Sequence, residues 1–316
     1  MSGLWMAMAA AVLATAPLQP SDREVQIGRG DQALYGALVL PTPGHTAPAV
    51  LLLPGSGPED RNGDDRKAGQ HTTTLKLLAD GLAEQGFASL RIDKRGVGAS
   101  APAAVRPPDL RIESFVDDAV AWTKFLRAQP GVRCVVILGH SEGALIAAMA
   151  AQKVKTCGVI SASGSARDLG ALIESQNALA HRSPELAART HEIILSLRAG
   201  RAVGEVPPEL KGAFGPDVQA YTMSMISIDP VAELAKVKAP VLVLQGDNDL
   251  QVGVDDAKAL AATPCARLVL VSGMTHVLKL APRNDMRANF TTYINPALPL
   301  APGVIPAIAD FVRARR

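Results

Sequence analysis

Val135-Val136-Ile137-Leu138-Gly139-His140-Ser141-Glu142-Gly143-Ala144-Leu145-Ile146-Ala147-Ala148 decides how this chain is read. Four apolar residues, three of them β-branched, run straight into Gly-x-Ser-x-Gly, and an alanine-rich helical pattern follows at once. A bare Gly-x-Ser-x-Gly match is a weak signal, because glycine and serine are common residues. A strand before it and a helix after it are the context that a nucleophile elbow requires. Gly139 and Gly143 have no Cβ, so strand and helix can approach closely around the turn that projects Ser141. The competing reading is a serine in an ordinary strand-to-helix loop.

Outward from that stretch, apolar strands and helical patterns alternate. Val25 to Leu40 reads as two short strands around the Gly28-Arg29-Gly30-Asp31 turn, an antiparallel hairpin at a sheet edge. Ala49 to Leu53 is a continuous apolar run of the kind buried on both faces of a parallel sheet. It enters the turn-rich loop Pro54-Gly55-Ser56-Gly57-Pro58-Glu59-Asp60-Arg61-Asn62-Gly63. A helix is expected over about 74–85, stopped by Gly86, and then a strand over 88–92. Another helix over 112–128 carries Phe115, Ala119, Trp122, Phe125 and Leu126 on one face. After the elbow helix come strands at 157–161, 239–246 and 266–271, with a helix over 254–262 between the last two. An amphipathic helix over 304–313 ends the chain, and 278–303 reads as a long Pro-rich loop. The pattern implies an α/β class, a doubly wound and mostly parallel sheet.

From Ser165 to Lys238 the alternation fails. Several helical segments and Pro207-Pro208 fill a stretch too long for a plain connection and too helical for disorder. It is expected to be a helical cap (165–238) inserted in a core made of residues 21–164 and 239–316. Its apolar residues Leu169, Leu172, Ile173, Ile193, Ile194 and Leu195 line a pocket or form the cap's own core.

The chain has 316 residues, 48% of them hydrophobic, and a formal net charge of only +2. Basic and acidic residues are interspersed, which leaves no stripe for nucleic acid and no basic membrane patch. The run Leu4 to Leu13, followed by Ala14-Thr15-Ala16, fits a signal peptide over residues 1–20 and is too short to span a bilayer. The protein is therefore expected to be periplasmic or secreted, without stable membrane insertion once processed. Cys134, Cys157 and Cys265 each open an expected strand. An odd count gives no disulfide framework, so buried thiols are the simpler reading. A Cys134–Cys157 bond is conceivable only if their strands are neighbours.

A serine hydroxyl needs a base within hydrogen-bond reach to act as a nucleophile, and histidine has the suitable pKa. Of six histidines, His45 and His71 lie in early loops, His181 and His191 in the expected cap, and His140 beside the serine but turned away. Only His276 follows a sheet strand downstream of Ser141, at a carboxyl end, where open α/β sheets gather their active sites. Asp247 and Asp249 follow another such strand, and either could orient the imidazole. Asp255 and Asp256 are further candidates but read more simply as the solvated start of the next helix. No metal constellation, phosphate loop or dinucleotide fingerprint appears, so no cofactor is expected.

Residues 136–143, 52–63, 93–100 (Asp-Lys-Arg-Gly-Val-Gly-Ala-Ser) and 243–252 (Val-Leu-Gln-Gly-Asp-Asn-Asp-Leu-Gln-Val) together resemble the α/β-hydrolase superfamily. Within it the chain is similar to bacterial carboxylesterases grouped with serine-aminopeptidase-like hydrolases, over about residues 25–280. The resemblance implies Asp249 as the acid, by the position of the second aspartate in Gly-x-x-Asp-x-Gln-Val. It implies a Ser141/Asp249/His276 triad, with the Ser56 and Glu142 amides as the oxyanion hole. The Glu142 side chain reads as a helix N-terminal acid that could also contact the cap or Arg95, while Asp93, Arg95 and Gly96 are architectural. The expected activity is hydrolysis of a small-molecule carboxylic ester through an acyl-enzyme. Peptide, amide or thioester cleavage by the same triad is the alternative. A silent relative that only binds a ligand is the reading from another class. For a peptidase, Glu174, Glu185 and Glu192 are available to bind an amino terminus, although they read more simply as solvated.

Overall fold

The computed structural model describes residues 22–40, 46–179 and 181–315, so the expected signal peptide lies outside the described residues. Strands β1 (Arg23–Ile27) and β2 (Leu34–Val39) form the expected antiparallel edge hairpin. Then follow β3 (Ala47–Leu53), α1 (Thr74–Glu84), β4 (Ala88–Ile92), α2 (Ile112–Arg127), β5 (Val132–His140), α3 (Glu142–Lys153) and β6 (Gly158–Ala162). Helices α4 (Leu169–Leu179), α5 (Pro184–Arg198), α6 (Lys211–Phe214), α7 (Gln219–Met225) and α8 (Pro230–Ala235) separate β6 from β7 (Val241–Gly246). The chain closes with α9 (Val254–Ala261), β8 (Ala266–Val271), α10 (Met286–Ile294) and α11 (Val304–Arg313).

The eight strands pair in the order β1-β2-β4-β3-β5-β6-β7-β8. From β4 to β8 all pairings are parallel, and β2 meets β4 antiparallel. Alternating residues of each central strand feed two separate cores. Leu51, Ile137 and Val243 pack toward α2, α3 and α9, while Leu52, Leu138 and Leu244 pack toward α1 and α11. Each such side chain, fully buried, contributes about 1.5–3 kcal/mol of transfer free energy. The chain winds from β3 outward to β4 and then back across β3 to β5. That reversal makes the loops after β3 and β5 diverge and leaves a crevice at their carboxyl ends.

Helices α5, α6 and α7 share a third apolar cluster around Ile193, Ile194, Leu197, Leu210, Phe214 and Ile226. This segment therefore has a core of its own above the sheet. Among the described residues no helix is long and apolar enough to cross a membrane.

Two sequence expectations need correction. The 278–303 segment contains helix α10, capped by the Asp285 carboxylate accepting the Ala288 N–H. Its pattern is inverted, with Met286, Phe290 and Ile294 exposed and Asn289 and Thr292 buried, so apolar periodicity pointed the wrong way. Cys134 and Cys157 are bonded, with Cα atoms 5.9 Å apart. Strand adjacency, which composition does not carry, brings them together, since β5 pairs with β6. Cys265 is free and exposed.

Candidate active site

Ser141 joins β5 to α3 with φ 53° and ψ −120°, a conformation that L-residues rarely adopt. The Ser141 N–H donates to the Ala162 carbonyl of the neighbouring strand, and the Ser141 carbonyl accepts the Ala144 N–H as the helix begins. Both glycines of the motif are sterically required. A Cβ on Gly139 would lie 1.9 Å from the Gly143 carbonyl oxygen, and one on Gly143 would lie 2.6 Å from the Pro54 carbonyl oxygen. The second contact is also what brings the loop after β3 against the elbow.

The two expected partners of Ser141 come from the loops after β7 and β8. His276 Nδ1–H donates to Asp249 Oδ2 at 2.9 Å, and both side chains are almost wholly buried. Asp249 is held by four donors in all. Gln245 Nε2 reaches Oδ2, and the Gln251 and Val252 N–H groups reach Oδ1. Burial opposes ionisation of Asp249, but the adjacent imidazole and these donors outweigh it and hold its pKa below 3.8. Burial likewise depresses His276, yet the Asp249 carboxylate, helped by Glu59, leaves its pKa above 6.5.

Asp247, which strand periodicity could not separate from Asp249, does a different job. It accepts the Gly273 N–H at 2.7 Å and pairs with Arg283, which fixes the turn after β8. His140 points away from the cavity. Its Nε2–H donates to the His276 carbonyl at 2.8 Å, so the loop carrying His276 is tied to the residue beside Ser141. Burial, then the charge of His276, lowers the His140 pKa to about 4 and keeps that ring neutral. Among the described residues no hydrogen bond joins Ser141 Oγ to His276 Nε2. Such contacts often tighten only once substrate is bound.

Ser141, Glu142 and Ser56 all face a cavity of about 690 Å³ at the carboxyl ends of β3 and β5. The wall supplied by the segment after β6 is mostly apolar, with Leu169, Leu172, Ile173 and Met225, and also carries Gln176 and Thr222. Ile193 and Ile194 belong to those helices' own core, and Leu195 is exposed. Glu174, Glu185 and Glu192 do not line the cavity; Glu174 pairs with His191 and Glu192 with Arg189. Among the described residues, neither the Ser56 nor the Glu142 N–H has a hydrogen-bond partner, as an anion-binding pair requires. No group of three His, Cys, Asp or Glu side chains among the described residues could hold a metal ion.

Two carboxylates and one lysine occupy places that sequence did not assign. The Glu142 side chain does not reach Arg95; it is mostly buried beside the cavity, next to Tyr221 of α7, and its Oε1 accepts from Lys94 Nζ at 3.1 Å. Arg95 is bound instead to Asp118 in α2, and Asp93 takes Arg61. Glu59 is buried and accepts the Gly55 N–H at 2.7 Å. Burial raises its pKa to about 7, against the pull of Lys94. Asp256 is not solvated, because Arg167 folds over it from the segment after β6, with its closest contact at 2.7 Å; Asp255 is exposed as expected. Lys94 and Glu59 stand inside motifs that the sequence displays, but a lysine is read as solvated until its buried partners are known.

Residues 68–280 match the family described as serine aminopeptidase, S33. The chain is 28% identical over 250 residues to esterase EstD of Thermotoga maritima, a match covering 78% of this chain and 58% of that protein. It thus spans less than two thirds of that relative's length. Among solved structures, Est1E from Butyrivibrio proteoclasticus superposes with a TM-score of 0.54 at 18% identity, covering 91% of this chain and 96% of that one. A hypothetical protein from Pseudomonas aeruginosa gives a TM-score of 0.60 at 17% identity, covering 99% and 100%. Identities this low speak for the fold alone. The family match spans more than half of the chain, and so the protein belongs to the serine aminopeptidase S33 family of hydrolases and has the α/β-hydrolase fold.

Proposed function

We propose that the protein hydrolyses carboxylic esters of small molecules, with Ser141 as nucleophile, His276 as general base and Asp249 as its orienting acid. The observation that carries this reading is the buried Asp249–His276 pair, tied through His140 to a serine that faces a large, largely apolar cavity. Asp249 accepts Nδ1–H and thereby leaves Nε2 as the nitrogen able to take a proton. Ser141 Oγ attacks the acyl carbon as Nε2 removes its proton. The carbonyl oxygen gains negative charge, which the Ser56 and Glu142 N–H groups stabilise. The C–O bond to the alcohol then breaks as Nε2 returns the proton, leaving the acyl group on Ser141. Water repeats the sequence and releases the acid.

The helices between β6 and β7 act as a cap over this site, and their apolar wall holds the hydrophobic portion of the ester. The family description supports a second reading, peptide hydrolysis by the same residues. Hydrolysis of a p-nitrophenyl ester series, from acetyl to long acyl chains, tests the first reading. Activity that Ser141→Ala abolishes supports it. A wild type that labels with a fluorophosphonate yet ignores every ester shifts the assignment to peptides, amides or thioesters, and one that fails even to label overturns it. Export to an oxidising compartment is supported by the Cys134–Cys157 bond. A mature chain that retains residues 1–16 by mass would exclude it.

A further inference from the structure

We propose that Lys94 is a positioning residue that aims the Ser56 N–H into the cavity and fixes its placement relative to the Glu142 N–H. The proposal rests on the oxyanion-hole reading above and adds what holds that hole in shape. Lys94 lies just beyond β4 and is almost fully buried, at 6% exposure. An ammonium has three N–H donors. Here they go to the Gly55 carbonyl at 2.5 Å, the Gly57 carbonyl at 3.1 Å and Glu142 Oε1 at 3.1 Å. The Phe115 ring lies 5.0 Å away, measured to its centroid. The donors of the cation are therefore all used, and none is left for substrate.

The geometry of a trans peptide turns these bonds into a direction. Carbonyl and N–H of one peptide point to opposite sides of the chain. With the Gly55 carbonyl drawn to Lys94, the N–H of the same peptide, which is that of Ser56, faces away from Lys94. That N–H has no protein partner among the described residues, and Ser56 lines the cavity. The other face of Gly55 is pinned as well, because its N–H donates to Glu59. One ammonium thus grips the loop that carries the first donor and the side chain of the residue that carries the second. Donors preorganised in this way need no rearrangement when the oxyanion forms. Arg95 faces Asp118 and makes no such contact with the loop.

A purely structural lysine would serve only to neutralise the buried Glu59 and Glu142 carboxylates, and kinetics can separate the two roles. In Lys94→Met, kcat per active site, counted by fluorophosphonate titration, should fall by about a hundredfold or more with KM changed little, as when an oxyanion donor is lost. Inhibition by a trifluoromethyl ketone analogue of the ester, whose serine adduct carries the oxyanion, should weaken by the same factor. Misfolding alone would lower the count of active sites and leave that inhibition constant unchanged. If Lys94→Met does not fold, Lys94→Met/Glu142→Gln removes the matching negative charge, and the same losses are expected. A single or double variant with wild-type kcat per active site overturns the proposal while ester hydrolysis stands. A wild type without esterase activity or labelling overturns the reading on which it rests.

Discussion

Glu59→Gln tests the electrostatics of the loop after β3 through stability. The Glu59 carboxyl is buried, and its pKa is pushed from 4.5 to about 7 by loss of solvent, with Lys94 opposing. Between those values the folded chain keeps this proton while the unfolded chain has released it. Stability contributed by Glu59 is therefore fully present below about pH 4.5 and is lost as pH rises through about 7. At about 1.4 kcal/mol per pH unit the loss sums to about 3 kcal/mol. Glutamine keeps an oxygen for the Gly55 N–H and has nothing to ionise. The difference in unfolding free energy, variant minus wild type, should grow in favour of the variant by about 3 kcal/mol from pH 4.5 to 8 and then level off. Urea unfolding followed by fluorescence of Trp122, which is fully buried, measures it. His140, lowered to about 4, contributes a slope of the opposite sign, but it is present in both proteins and cancels. A difference that stays constant with pH would show that Glu59 titrates normally and that the charge reading of this loop is wrong.

Further outcomes follow from the same geometry. Because Asp249 outweighs burial and raises His276, kcat/KM should climb with pH through a midpoint above 6.5; a midpoint below that value contradicts the pairing. Asp249→Asn should lower kcat by about 10⁴-fold through the wrong imidazole tautomer, and a loss under tenfold would move the acid's role elsewhere. Replacing Cys134 and Cys157 by serine opens a link across 23 residues and should cost about 3 kcal/mol in chemical unfolding, with a cost near zero counting against a formed bond. Gly139→Ala should give no soluble protein, since its methyl carbon would overlap the Gly143 peptide; normal expression would refute the close approach.

The sheet was legible because its central strands are apolar on both faces, so β3, β5 and β7 stand out as short unbroken runs. Ser141, His276 and the aspartate pair stand out as candidates because chemistry in such sheets collects at carboxyl ends. Choosing Asp249 over Asp247 was not possible from strand periodicity, since both face the same crowded turn and differ only in which neighbour they meet. Lys94 and Glu59 escaped for a related reason. Each is a charged residue type in a loop, and only the folded contacts reveal that Lys94 pairs with Glu142 out of water and that burial pushes the Glu59 pKa up. Asp256 reads as solvated in the sequence because its partner, Arg167, arrives from a segment 89 positions away. Helix α10 hid behind an inverted pattern, with its polar side chains inward.

The backbone of Ser141 carries a cost of its own. A conformation of that kind is worth about 1–3 kcal/mol of strain for any residue with a side chain. Glycine at this position would relax it and keep the turn, at the sacrifice of the proposed nucleophile. The proposed function and endurance are therefore opposed at a single residue. Under selection for heat resistance alone, with no substrate offered, position 141 is one place where the lineage would gain by abandoning the proposed chemistry.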